Sequence, residues 1–329
     1  MSAVVAPPRP SPSGPADEAP HARPRRERRC PPRRLRLPGG ARVGRTPASL
    51  SWPVIAALLV FSAFPFAYLV GLALTESTLA RPLGAFTGLD NLTEALSSTA
   101  FKGSLWRSTL FALAAGAVQL ALGTALALLL AARGRRLGWT GVALLLPLVT
   151  PPVMVGVAWK LLLAPVGGAL PTVAGSLGLG EPNPLGSPAG AMVTLLVIDT
   201  WQWTPFVTLL VYAALLGVPR DVLDAARIDG AGSWQLVRHI VLPLIAGTLV
   251  AVALLRMIIA FKLFDIVYVV TSGGPGFATT LASFDIHRTG LQQFQVGEAA
   301  AATIVFSLLV GVFVTLVSRL HRRVAGAAG

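Results

Sequence analysis

Residues 224–243 read DAARIDGAGSWQLVRHIVLP, a polar and charged segment set between two long apolar runs. An acid is followed by two alanines, a glycine stands six positions after the acid, and the segment closes on Ile-x-Leu-Pro. Just upstream, Pro219 suits the first turn of a helix, and Asp221 and Asp224 complement the helix dipole there. Val222, Leu223 and Ala226 then share one apolar face. Gly230 and Gly232 interrupt that helix, and Ser233 is placed to N-cap a second one in which Leu236, Val237, Ile240 and Val241 repeat the helical spacing. Pro243 marks the change of direction into the next apolar run. The expectation is two short helices joined by a bend along a membrane surface, with Ala225 and Ala226 leaving room for another surface to approach. An interfacial helix that only anchors a loop is the competing reading. Small residues beside exposed acids fit it poorly, because a lipid anchor favours large apolar residues and lysines.

The flanks decide the class. The chain of 329 residues is 54% hydrophobic and 12% charged, against roughly 25% charged in soluble domains, and its mean hydropathy is +0.69. Uncharged stretches long enough to cross a bilayer, about 20 residues each, cover 49–74, 109–132, 137–159 and 299–318. The run 185–218 holds one charge, Asp199, and 244–270 holds Arg256, Lys262 and Asp265. The fold class expected is an all-α integral membrane protein with six transmembrane helices.

Charge placement orients it. If the N-terminus is cytoplasmic, inside segments collect twenty of the 27 basic residues, and outside segments hold Arg81, Lys102, Arg107, Lys160 and Arg288. The positive-inside rule therefore puts both termini, and the segment 224–243, on the cytoplasmic side of a cell membrane. The formal charge of +13 does not point to nucleic acid: residues 1–48 carry eleven arginines and eleven prolines without an accompanying motif, as a disordered tail drawn to anionic lipid would. The domain reading is a basic cytoplasmic tail at 1–48, a transmembrane domain at 49–323 (core 105–319) with a cytoplasmic loop at 219–243, and a short tail at 324–329. Outside loops at 76–107, 165–188 and 272–276 form a rim able to receive a partner or solute.

The order acid-Ala-Ala, then Gly, then Ile-x-Leu-Pro resembles the EAA motif of ABC importer permeases, at Asp224, Ala225, Ala226, Gly230, Ile240, Leu242 and Pro243. Asp224 departs from the family's usual Glu, keeping the charge on a side chain one methylene shorter. Further along, FTGLDN at 86–91, Leu146-Pro147 with Pro151-Pro152, and FDIVY at 264–268 followed by TSGGP at 271–275 resemble elements of carbohydrate-importer permeases. The resemblance covers most of 49–323. It implies a type I permease fold in which the loop docks on a cytoplasmic ABC ATPase. It also implies a second, non-identical permease and an extracytoplasmic solute-binding protein.

Other chemistries lack their residues. No lysine among Lys102, Lys160 and Lys262 follows a glycine, so there is no phosphate loop, and ATP with its magnesium belongs on a partner. No cofactor, metal site or catalytic residue is expected in this chain: Cys30 is the single cysteine, and the four histidines are scattered. Charges within spans face a bundle interior or an aqueous path. The candidate translocation path is Asp199, Trp201, Gln202 and Trp203 on the fourth span, with Lys262, Asp265 and Tyr268 on the fifth. Lys262 and Asp265 stand at i, i+3 and are expected to pair, Arg256 is out of phase with them, and Asp199 is its expected partner. Structural pairing of helices is the equal alternative for these charges. Prolines 147, 151, 152 and 205 mark expected helix irregularities. A secondary transporter or channel, using the Lys262/Asp265 charges without an ATPase, is the rival function.

Overall fold

The structure, a computed structural model, describes residues 48–134, 138–178, 180 and 182–327. The basic tail and the arginines at 135 and 136 lie outside them. The chain divides into Met1–Ala56 and Ala57–Gly329, and the second unit carries the helical bundle. No strand occurs among the described residues, only isolated bridges at Thr75–Phe86 and Thr78–Gln295.

Among the described residues four helices are long and apolar enough to cross a membrane: α1 (Trp52–Ala73), α3 (Thr99–Ala132), α7 (Pro188–Leu216) and Val296–Arg319, the apolar part of α12 (Val296–Ala327). Two bent pairs of helices bring the count of candidate spans to six if each pair is taken as one span. The Ala143–Val149 part of α4 (Gly138–Val149) meets α5 (Pro152–Leu162) at 104°, and α9 (Ser233–Leu244) meets α10 (Ala246–Phe261) at 70°. Shorter helices are α2 (Asp90–Ser97), α6 (Ala169–Ser176), α8 (Arg220–Ile228) and α11 (Ala282–His287).

The departures from expectation have local causes. The loop expected at 76–107 shrinks, because α2 forms within it and α3 starts at Thr99, where Ser98 accepts from the amide of Phe101 at 3.3 Å. The helix expected over 137–159 breaks at Thr150–Pro151, where Pro151 can donate no backbone hydrogen bond; Gln202 on α7 donates to the Thr150 carbonyl at 3.2 Å. Pro147 and Pro205, by contrast, sit inside helices that continue. Around Pro205 the hydroxyls of Thr204 and Thr208 donate to the carbonyls of Thr200 and Thr204 at 2.6 and 2.8 Å.

The core lies along α3, α7 and α10, with α12 closing one side. Phe111, Leu195, Ile198, Phe261, Leu281 and Phe306 fill one end, and Ala127, Val207, Val211, Tyr212 and Val252 the other. The α3–α7 seam is tight: a Cβ at Gly123 would stand 2.6 Å from Val207 Cγ1, so any larger residue would part the helices. Helices that meet in lipid rely on such small-residue contacts.

Candidate functional site

Three places hold all but two of the residues that the sequence singles out. The first is the loop. α8 runs from Arg220 with Pro219 as N-cap residue, and it ends in a Schellman motif: Ala231 N–H donates to the Ala226 carbonyl at 3.0 Å, and Gly230 N–H to that of Arg227 at 3.1 Å. Gly230 holds φ +82°, the left-handed conformation that closes this motif, and a Cβ there would meet nothing within 4 Å. The second helix starts one residue later than expected: Gly232 is its N-cap residue, its amide donating to Gln235 Oε1 at 2.9 Å, and Ser233 is the first helical residue. A π-helical turn follows at Val237–Val241 and carries the chain to Leu242 and Pro243.

Within this hairpin Ala226 is buried, while Asp224, Ala225, Gly230 and Pro243 are exposed and Ile240 and Leu242 half-buried. Asp224 accepts a 2.9 Å ion pair from Arg227 on the same helix. Ile228 (86% exposed) and Trp234 (70%) stand out on either side of the bend. A positive-φ turn flanked by a carboxylate and two exposed apolar side chains is a protrusion able to enter a groove on another protein.

The second place is a buried cluster. Arg256 on α10 bonds both Asp199 on α7 and Gln119 on α3, and Gln119 donates to Asp199 Oδ2 at 2.8 Å. All three are fully buried, and the Arg256 guanidinium lies 5.2 Å from the ring centre of Trp203. The Asp199–Arg256 partnership expected from the sequence is present. Gln119 joins it without having been singled out by the sequence pattern, although it is the sole amide in the otherwise apolar run 109–132. One charge pair and one amide thus join three helices.

The third place is a small cavity of about 150 Å³ beside that cluster, lined by Asp199, Gln202, Trp203, Lys262, Phe264 and Asp265, among others. Five of the seven candidate path residues therefore share one cavity. Asp199 Oδ1 and Gln202 Oε1 are buried without a hydrogen-bond partner among the described residues. Trp201 lies elsewhere, edge-on to Trp159 with ring centres 6.0 Å apart, and Tyr268 lines a different, larger cavity. The i, i+3 pairing of Lys262 with Asp265 is not formed. α10 stops at Phe261, residues 262–264 leave the helix, and helical structure resumes at Asp265, so the two charges no longer share one helical face.

Residues 123–326 match the family model for the binding-protein-dependent transport system inner membrane component. The chain is 33% identical over 273 residues to the probable ABC transporter permease protein y4oQ of Sinorhizobium fredii, covering 82% of this chain and 88% of that one. It is 32% identical over 250 residues to the trehalose/maltose transport system permease protein MalF of Thermococcus litoralis, covering 75% and 84%. A bacterial alginate ABC transporter, solved in complex with an alginate pentasaccharide-bound periplasmic protein, includes a chain that superposes with a TM-score of 0.72 at 20% identity. That match covers 84% of this chain and 94% of the other, and it establishes a shared fold.

Proposed function

The chain belongs to the family of binding-protein-dependent transport system inner membrane components, the ABC transporter permeases, and from that premise we propose that it forms half of the pathway of an ATP-driven carbohydrate importer. The sugar assignment is supported by relatives named for trehalose and maltose transport and by the FDIVY and TSGGP runs. In this reading six crossings place both termini and residues 219–243 in the cytoplasm, as the distribution of arginines supports. The cytoplasmic partner is an ABC ATPase that binds ATP and magnesium. A second, non-identical permease completes the path, and a solute-binding protein delivers the sugar from outside.

The observation that carries the proposal is the hairpin Arg220–Leu244. Its tip exposes Asp224, Ala225 and Gly230 together with Ile228 and Trp234, and its second helix connects to α10 through a 70° bend. Closure of the ATPases would push on this hairpin, move α10, and alternate access to the cavity that holds Asp199 and Gln202. Because Arg256 on α10 is tied to α3 and α7, the three helices would move as one body. The rival reading, an ion-driven carrier, rested on a Lys262–Asp265 pair that does not form.

The test is purification of the tagged chain from its native membrane in mild detergent, with uptake measured in the same cells. An ABC ATPase should co-purify, and uptake of a labelled sugar should stop on ATP depletion. Uptake that survives ATP depletion and collapses with an ionophore would contradict the proposal.

A further inference from the structure

Beside Tyr268, the one candidate path residue that reaches it, lies a cavity of about 580 Å³ lined by Lys160, Tyr268, Phe277, Phe284, Arg288 and Gln292, among others. Its size falls within the roughly 300–1,000 Å³ of small-molecule sites. Tyr268 and Phe284 stand with ring centres 6.3 Å apart, and Tyr268 stacks on Phe264 at 5.5 Å and 26°. Phe264 also lines the small cavity with Asp199 and Gln202. One stacked ring pair thus bridges the two cavities.

The polar groups are unevenly chosen. Lys160, Arg288 and Gln292 offer N–H donors, and the lining residues include no carboxylate. Arg288 is held by Asp285 at 2.7 Å and lies 4.9 Å from the ring centre of Phe277. Its Nε is buried and has no partner among the described residues. Lys160 makes no ion pair among them. Ring faces suit the C–H faces of a pyranose, and clustered donors suit its acceptor oxygens. A cation would be repelled, and an apolar solute would leave the donors unmet.

We infer that this cavity is an entry site that takes a sugar ring between Tyr268 and Phe277, with Lys160 and Arg288 donating to its oxygens, before the sugar passes the Phe264–Tyr268 pair to the inner cavity. The inference rests on the proposed function, under which Lys160 and Arg288 belong to the outer segments.

The test uses the whole transporter in proteoliposomes, with its ATPases, second permease and binding protein. Radiolabelled maltose, trehalose, sucrose and glucose serve as probes, and uptake is read beside binding-protein-stimulated ATP hydrolysis. Tyr268 and Phe277 are 47% and 65% exposed, so their replacement leaves the core intact. Tyr268→Leu with Phe277→Leu should lower uptake of the transported probe about fivefold or more, as expected for loss of two ring contacts. ATP hydrolysis should stay within about twofold. Tyr268→Phe, which keeps the ring, should retain uptake, and Lys160→Met should lower it. Unchanged uptake in the doubly substituted transporter would overturn the entry site and leave the proposed function standing. Probe uptake that continues in the wild-type transporter without ATP would overturn both.

Discussion

Asp199 and Arg256 meet at 1% exposure on two helices, 57 residues apart in sequence, whereas Asp224 and Arg227 meet three residues apart on one surface helix, 63% and 64% exposed. The ions are the same and the physics is not. Away from water each charge of the first pair would be very costly alone, so the pair and Gln119 form a set that cannot lose one member cheaply. Beside water the second pair competes with solvent and contributes little. Asp224 is therefore free to exchange Arg227 for a partner's cation, while Asp199 is committed to Arg256. In the proposed function the interior pair serves assembly and the surface pair serves contact.

The largest effect should follow from splitting the interior pair. Arg256→Met with Asp199 intact leaves a buried carboxylate alone and should cost about 3–5 kcal/mol, seen as loss of monodisperse protein on thermal challenge in detergent. Adding Asp199→Leu should restore much of that stability; failure to do so would mean that the pair does more than neutralise itself. Gln119→Leu removes a donor to Asp199 and an acceptor for Arg256, at about 1–3 kcal/mol in the same assay. Gly230→Ala forces a side chain into the left-handed turn at a cost of about 1–2 kcal/mol confined to the hairpin, read as faster amide exchange at 229–231. Asp224→Asn should shift global stability by less than about 1 kcal/mol and still weaken ATPase co-purification. A destabilisation as large as that of Arg256→Met would erase the contrast between the pairs.

Much of this is legible in the chain because lipid imposes simple demands. Apolar runs mark the crossings, and Asp199, the one acid in its run, points to Arg256 as its partner without any coordinates. The bent loop is readable from Gly230 and Pro243. Gln119 escapes because an uncharged amide gives the positional pattern no opposite charge to pair, and one polar residue leaves the run 109–132 apolar on average. The break at 262–264 escapes because Leu263 and Phe264 keep the run apolar while the backbone turns. Proline is ambiguous: at Thr150–Pro151 the span bends, while at Pro205 threonine hydroxyls bond neighbouring carbonyls and the helix continues. The outer cavity is hidden because Lys160, Tyr268 and Arg288 come from three separate segments.

The central claim is that the hairpin transmits ATPase movement, and Gly230→Trp tests it most directly, because the space beyond Gly230 is empty within this chain. Sugar uptake and membrane abundance should be measured in the same cells, with ATPase co-purification alongside. The account predicts normal abundance, uptake reduced by about tenfold or more, and loss of the co-purified ATPase. Wild-type uptake with the tryptophan in place would contradict it.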